Sequence, residues 1–386
     1  MADRRIAYVV NHAAFFVSHR LSLALGARQA GYQVVLFTGQ AGSSEMERLA
    51  VGSLAVQGIE HRRTLSRSSG LNPVIEMLGL LQLIWFLWRF KPDVVHCASP
   101  KGVLYGGIAA RICRVPGLVL AISGMGYAFT ETEDAEFVRK GVKLIYGLLA
   151  GLAFHHPNVR VIVQNHDDQR AVVARGLVDA SQLTLIPGSG VNLSLFADVN
   201  MATKKSIVLL PARMLKDKGV NEFVDAARKI RTQAPGWRFV LAGAAGYDNP
   251  SAIFEADLKI WQAEGVVEWL GHVADMASLF KDAAVVCLPS YHEGLPKALL
   301  EAAAAGCAVV TTDVTGCREA IASGLTGDLV PARDSDSLAK AILSLIKDEK
   351  RRTEYGIKGR ERAVALYSLS SVVSQTTSLY KGLIDE

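Results

Sequence analysis

The sequence predicts an α/β protein organised as two domains, each a parallel sheet covered by helices. Three observations predict this. At 386 residues the chain is longer than one typical domain. Its short, β-rich apolar runs alternate with helical stretches, which is the pattern of βα repeats. The alternation halts at the turn formers Pro187-Gly-Ser-Gly-Val-Asn192 and the polar Asp198–Lys205 segment, then restarts. Half the residues are hydrophobic and a fifth charged, so core material is ample.

In the first half, strand Arg5–Val10 precedes a helix from about Phe16 to Ala30, stopped by Gly31. Strand Gln33–Thr38 and a helix near Ser44–Val56 follow. Ligands of parallel sheets bind outside the carboxyl ends of the strands. Asn11–Arg20 occupies that end of the first strand, so His12 is a candidate contact for acceptor or donor. His19 and Arg20 are placed to meet an anionic acceptor, or, at helical spacing, simply to be solvated. No G-x-G-x-x-G is present, which argues against an ordinary dinucleotide enzyme.

His61-Arg-Arg-Thr-Leu-Ser-Arg67 reads as a basic turn near lipid headgroups. Pro73–Phe90 is the most hydrophobic stretch, interrupted by Glu76 and Gln82 and marginal in length for a bilayer span. It reads either as a core helix or as a helix whose Trp85, Phe86, Trp88 and Arg89 face lipid. Strand Asp93–Cys97 leads to Ala98-Ser-Pro-Lys-Gly102 and a helix through Ala110. His96, or Lys101 of that turn, is the candidate to reach the reaction centre, with a core histidine as the alternative. Strand Gly117–Ser123 opens into Gly124-Met-Gly-Tyr127-Ala-Phe, whose glycines permit close backbone approach to a ligand. The Glu131–Glu136 run lacks the alternation of a calcium loop and reads as solvated. Helix Val138–Phe154 and strands Val159–Gln164 and Gln182–Ile186 complete the half.

The second half repeats the plan. Strand Ser206–Pro211, a loop carrying Arg213 and Lys218, helix Val220–Thr232 and strand Trp237–Ala242 come first. Helix Ile253–Glu264, strand Val266–Leu270, Gly271-His272-Val273 and helix Met276–Lys281 follow. Strand Ala284–Pro289 then enters Ser290-Tyr-His-Glu-Gly-Leu-Pro-Lys-Ala-Leu-Leu-Glu301, where Pro296 suits the first position of a helix. Glu293 lies before that helix and Glu301 inside it, beside a helix start able to hold an anion. The bland alternative is two surface glutamates around an ordinary strand–turn–helix. Arg213, a planar fork, and Lys218, a point charge, are cations suited to an anionic group such as a phosphate. Asp334-Ser-Asp336 reads as a helix cap rather than a metal motif. Arg351–Leu366 and Ser370–Ile384 read as helices.

The five scattered cysteines read as reduced core thiols, and Met1-Ala-Asp-Arg-Arg reads as no signal peptide. Residues 1–195 hold 19 Lys and Arg against 13 Asp and Glu, a balance of +6. Residues 196–386 hold 23 against 24, a balance of −1. The basic half points to an anionic partner: lipid headgroups or a lipid diphosphate, with nucleic acid disfavoured for want of any recognition motif.

The passage E-G-L-P-K-A-L-L-E-A-A-A-A-G-C-A-V-V-T-T-D, the loop Leu210-Pro-Ala-Arg-Met-Leu-Lys-Asp-Lys218-Gly219, Leu270-Gly-His-Val273 and Gly188-Ser-Gly-Val-Asn192 together resemble family 4 glycosyltransferases. The resemblance extends over essentially the whole chain. It implies the GT-B fold: two Rossmann-like domains with parallel sheets facing across a cleft, and a C-terminal helix returning to the first domain. The domains expected are 1–195 with 368–386, binding acceptor, and 196–367, binding the nucleotide sugar. The resemblance implies that Arg213 and Lys218 hold the diphosphate, Glu301 the ribose hydroxyls and Glu293 the sugar. His272 and Val273 would meet the base, with Gly294, Leu295 and Pro296 lining the donor site. His12, His19, Arg20, Lys101, Gly124 and Tyr127 are the acceptor candidates, and Arg213, Lys218, Glu293 and His96 the catalytic ones. The family often carries a second histidine after D-V-V-H-x, where this chain has Ala98, so the choice between His96 and Lys101 stays open.

The S-P-K-G, I-S-G-M-G-Y-A-F and G-S-G-V-N segments look closest to enzymes extending undecaprenyl-diphosphate-linked sugars, of the bacillosamine N-acetylgalactosaminyltransferase type. This implies a retaining transfer of N-acetylhexosamine from a UDP-sugar to a lipid-diphosphate-linked acceptor. It also implies no metal or other cofactor, and a peripheral location on the inner face of the cytoplasmic membrane. The rivals are a UDP-sugar 2-epimerase of the same fold and a non-enzymic membrane protein that binds nucleotide sugars.

Overall fold

The computed structural model describes residues 4–41, 45–67, 72–124, 150–246 and 249–385. The chain divides into two compact units, Met1–Ser189 with Ser370–Glu386, and Gly190–Leu369. The Tyr127 loop, the Glu131–Glu136 run and most of the expected helix 138–154 lie outside the described residues.

The first unit holds seven parallel strands in the order β3-β2-β1-β4-β5-β6-β7. They are β1 (Arg5–Val10), β2 (Gln33–Gln40), β3 (Glu60–Arg67), β4 (Val94–Ala98), β5 (Gly117–Ala121), β6 (Val159–Val163) and β7 (Leu183–Leu185). The central strands are buried on both faces, hence their unbroken apolar runs. One face packs on helices Pro73–Phe90 and Pro100–Ile112. The other packs on Leu21–Gln29, Glu45–Val56 and the last helix, Leu369–Asp385, through Val372, Tyr380 and Leu383.

Two expectations are corrected here. The helix expected over 16–30 is two, Ala13–His19 and Leu21–Gln29, because Arg20 leaves the helical conformation between them. The basic turn His61–Arg67 is the edge strand β3. Arginines concealed it, yet Thr64 and Ser66 alternate inward and are buried. Its outer backbone groups are covered: Leu65 N donates to Gln82 Oε1 (2.8 Å) and Arg67 N to Glu76 Oε1 (3.2 Å).

The second unit holds six parallel strands in the order β10-β9-β8-β11-β12-β13. They are β8 (Lys205–Pro211), β9 (Arg238–Ala242), β10 (Glu268–Trp269), β11 (Ala283–Leu288), β12 (Ala308–Thr312) and β13 (Gly327–Val330). Helices Val220–Ile230 and Ser335–Lys347 cover one face, and Met276–Asp282 and Lys297–Ala304 the other. Asp334 caps Ser335–Lys347, accepting from the backbone of Asp336 and Ser337. The order reverses between β8 and β11, so the carboxyl ends of those two strands flank a crevice where open α/β sheets bind ligands.

Candidate active site

The loops after β8 and β11 meet at that reversal. Gly219 adopts φ +72°, and a Cβ there would lie 2.1 Å from the carbonyl oxygen of Pro289, so glycine alone lets the loops touch. Tyr291 N donates to Asp217 O (2.9 Å), fixing one loop on the other. Across this contact Lys218 Nζ meets Glu293 Oε1 at 2.6 Å, both side chains mostly buried. Ser290 Oγ donates to the same oxygen (2.8 Å), and Glu293 N to Thr315 O (3.3 Å). Gly316, φ +78°, backs the turn: a Cβ would approach the Gly294 carbonyl oxygen to 2.4 Å. The sequence reading missed Ser290, Thr315 and Gly316. The signal was present in the Thr-Gly pair just beyond the apolar run 308–312.

Helix Lys297–Ala304 begins beside this bridge. Pro296 is its N-cap rather than its first helical residue, with φ −70° and ψ 113°. Its start leaves backbone N–H groups available to an anion. Gly294, Leu295 and Pro296 are buried, and Leu295 packs into the core, so only their backbone is offered to a ligand. Glu301 lies one turn in, with Lys297 at 3.4 Å. Burial raises its carboxyl above the usual range, with Lys297 opposing. Arg213 is exposed on the β8 loop. His272 is exposed after β10, behind Gly271 at φ +65°, while Val273 packs inward. Gly243 N donates to Gly271 O (2.8 Å), which holds that turn to the sheet. The site thus gathers the β8-loop cations, a paired glutamate and a helix start at one strand reversal.

The first-unit candidates, His96 as a catalytic residue and the others as acceptor contacts, fare differently. His96 is fully buried in β4, stacked on Tyr8, with Nδ1 2.6 Å from Tyr380 Oη. Burial, with the Arg20 charge adding to it, holds its pKa well below the ordinary value, so the ring is neutral. The expectation that His96 reaches a reaction centre is therefore corrected: it is a core histidine tying β4 to the last helix. Arg20 is also buried, donating to Ser189 Oγ and Ser123 Oγ (each 3.3 Å), and burial lowers its pKa to about 10. Neither a solvated nor a surface-bound Arg20 fits that position. Lys101 is drawn inward, its Nζ 3.0 Å from Glu76 Oε1 and donating to Arg67 O (2.8 Å).

His12 caps helix Ala13–His19, its Nδ1 accepting from Phe15 N (3.2 Å). His19 stacks on Phe15. Both are half-buried, His12 just after the carboxyl end of β1 and His19 at the far end of the helix that follows it. Gly124, φ +105°, ends the described part of the loop after β5, and Tyr127 lies outside it.

Each unit is thus a parallel sheet covered by helices, and the second carries a cation–carboxylate bridge at its strand reversal. Residues 193–362 match the model of glycosyl transferases group 1, and residues 5–162 that of glycosyl transferase 4-like proteins. The chain belongs to this family of glycosyltransferases and has the GT-B fold. It is 29% identical over 333 residues to the N,N'-diacetylbacillosaminyl-diphospho-undecaprenol alpha-1,3-N-acetylgalactosaminyltransferase of Campylobacter jejuni, covering 83% of this chain and 84% of that one. To the alpha-maltose-1-phosphate synthase of Mycolicibacterium smegmatis it is 32% identical over 313 residues, covering 75% and 78%. Its fold matches the crystal structure of Anabaena Alr3699/HepE in complex with UDP, with a TM-score of 0.76, 17% identity and coverage of 98% and 100%.

Proposed function

We propose that this glycosyltransferase moves an N-acetylhexosamine from a UDP-sugar to a polyprenyl-diphosphate-linked glycan at the cytoplasmic face of the membrane, with retention of configuration. The observation that carries the donor half is the Lys218–Glu293 bridge at the β8/β11 reversal, beside a helix start. Arg213, Lys218 and the backbone N–H groups that open helix Lys297–Ala304 take the diphosphate, Glu301 the ribose and Glu293 the sugar. His272 and Val273 flank the base. In the transfer an acceptor hydroxyl oxygen bonds to the anomeric carbon as the carbon–phosphate oxygen bond breaks on the same face. The hydroxyl proton passes to the departing phosphate oxygen. Lys218 and Arg213 stabilise the charge that develops there, so no metal is required.

The acceptor half is supported by the relative named for transfer to a diphospho-undecaprenol-linked sugar and by the basic first half of the chain. His12, His19 and the backbone at Gly124 are the acceptor contacts in this reading; Arg20 and Lys101 are withdrawn from that set, and His96 from the catalytic one.

The test is labelled UDP-N-acetylhexosamine with a polyprenyl-diphosphate-linked sugar in detergent, with and without excess EDTA. The expected result is a lipid-extractable product of retained configuration, formed equally in EDTA. Epimerised donor without acceptor would instead indicate a 2-epimerase, and donor binding without turnover a non-enzymic protein. Loss in EDTA restored by Mg²⁺ would overturn the metal-independent reading.

A further inference from the structure

Helix Pro73–Phe90 is built inside out. Its two interior polar side chains face the protein: Gln82 accepts from β3, and Glu76 accepts from β3 while pairing with Lys101. Gly79, also inward, lies so close to β3 that a Cβ would stand 2.4 Å from Ser66 N. The opposite face carries Val74, Met77, Leu78, Leu81, Trp85 and Trp88, each 45–64% exposed. Val74, Leu78, Leu81, Trp85 and Trp88 recur at steps of three or four, with Met77 beside Leu78, forming one apolar stripe along the helix. A surface helix of a soluble domain has the reverse arrangement, and scattered exposed apolar residues do not form such a row.

The charges around the stripe identify what it meets. Arg63 and Arg67 are exposed on the neighbouring strand, and Arg89 and Lys91 at the helix's last turn and cap. Glu60, the exposed acid of β3, is held by Arg62. Apolar side chains with two tryptophans, bordered by cations, complement the headgroup–acyl boundary of an anionic bilayer. By length and composition the helix is also able to cross a membrane. Its inward face rules that out, because spanning would strip Glu76 and Gln82 from β3 and Lys101.

We propose that this stripe docks the protein on anionic phospholipid with helix Pro73–Phe90 lying in the plane of the interface. The inference deepens the membrane-face part of the proposed function, and it is independent of which sugar is transferred.

The experiment is co-sedimentation of the full chain with phosphatidylcholine vesicles, with and without phosphatidylglycerol, at low and high salt. No donor or acceptor is present, so a failure here leaves the transfer assay in detergent untouched. The wild type is expected to pellet with phosphatidylglycerol vesicles and to release as salt rises. Trp85→Gln with Trp88→Gln is expected to weaken binding at least about 10-fold at either salt. Arg63→Gln with Arg67→Gln is expected to weaken it about fivefold per charge, at low salt only. All four side chains are exposed, so circular dichroism and Tm should be unchanged.

Wild type left in the supernatant at low salt would overturn the proposal. So would tryptophan variants that pellet like wild type, or equal binding to vesicles without phosphatidylglycerol. A wild-type dimer that the tryptophan variants dissociate, with no vesicle binding, would assign the stripe to a second copy of this chain instead.

Discussion

At the scale of single residues, Arg213 and Lys218 separate two roles that the sequence presented as one. Arg213 is exposed, so Arg213→Ala should leave Tm unchanged while lowering kcat/KM about 10²-fold through lost stabilisation of the leaving diphosphate. Lys218 is mostly buried against Glu293. Lys218→Ala should lower kcat/KM similarly and also destabilise the fold by about 1–3 kcal/mol, because among the described residues the carboxylate then keeps Ser290 alone as a side-chain donor. Thermal unfolding beside steady-state kinetics on both variants distinguishes these outcomes, and near-normal turnover by both would end the diphosphate assignment. His96 makes a second residue-scale case. Its folded pKa is depressed, so the unfolded chain binds the extra proton once pH falls below about 6.5. Stability is then full above that pH and lost as pH falls toward the folded value. His61 and His156, also lowered by burial, act in the same sense. His96→Gln should therefore reduce the slope of unfolding free energy against pH by up to about 1.4 kcal/mol per unit below about pH 6.5, read from urea titrations. An unchanged slope would mean that the ring is protonated in the folded protein.

At the scale of elements, what the sequence revealed depended on how each element meets its neighbours. Strands buried on both faces, such as Arg5–Val10 and Gly117–Ala121, read directly as apolar runs. Edge strand Glu60–Arg67 did not, because its outward positions include Arg63 and Arg67 beside Leu65, and its inward ones Thr64 and Ser66. The outward stripe of Pro73–Phe90 was equally hidden: composition reported the apolar residues but not which side faced the protein. That the loops after β8 and β11 are distinctive was legible because glutamate, glycine, proline and lysine stand at fixed offsets after apolar strands. His96 was misread because a histidine at a strand's carboxyl end looks the same whether it faces solvent or Tyr380. Packing of Pro73–Phe90 on β3 yields a paired prediction. Gly79→Ala forces a Cβ against the Ser66 backbone and should destabilise by about 1–3 kcal/mol. Gly52→Ala, in helix Glu45–Val56 with nothing within 4 Å, should stabilise by up to about 1 kcal/mol. Denaturant midpoints for the two variants should move in opposite directions, and a shared direction would contradict the close helix–strand contact.

At the scale of the whole molecule, the two units differ in how the chain builds them. The first is discontinuous: it needs Ser370–Glu386, whose Tyr380 bonds to both Tyr8 and His96 and whose Leu383 carbonyl accepts from Asn158. Removing that segment strips apolar side chains from one face of the sheet and leaves the Tyr8 and His96 polar groups without it. The second unit is a single stretch, Gly190–Leu369, with apolar layers on both faces of its own sheet. It also contains every residue assigned to the donor. Two consequences follow for expressed fragments. Residues 190–369 alone should fold cooperatively and bind UDP within about 10-fold of the full chain's Kd, since no assigned donor contact is lost. Residues 1–189 alone, lacking the last helix, should bind no UDP and should unfold at lower denaturant than the same residues joined to 370–386. Isothermal titration with UDP and urea unfolding of the three fragments measure both. A folded 190–369 fragment that binds UDP more than about 100-fold more weakly than the full chain would mean that the first unit supplies donor contacts. The diphosphate would then have to be reassigned to include its side chains.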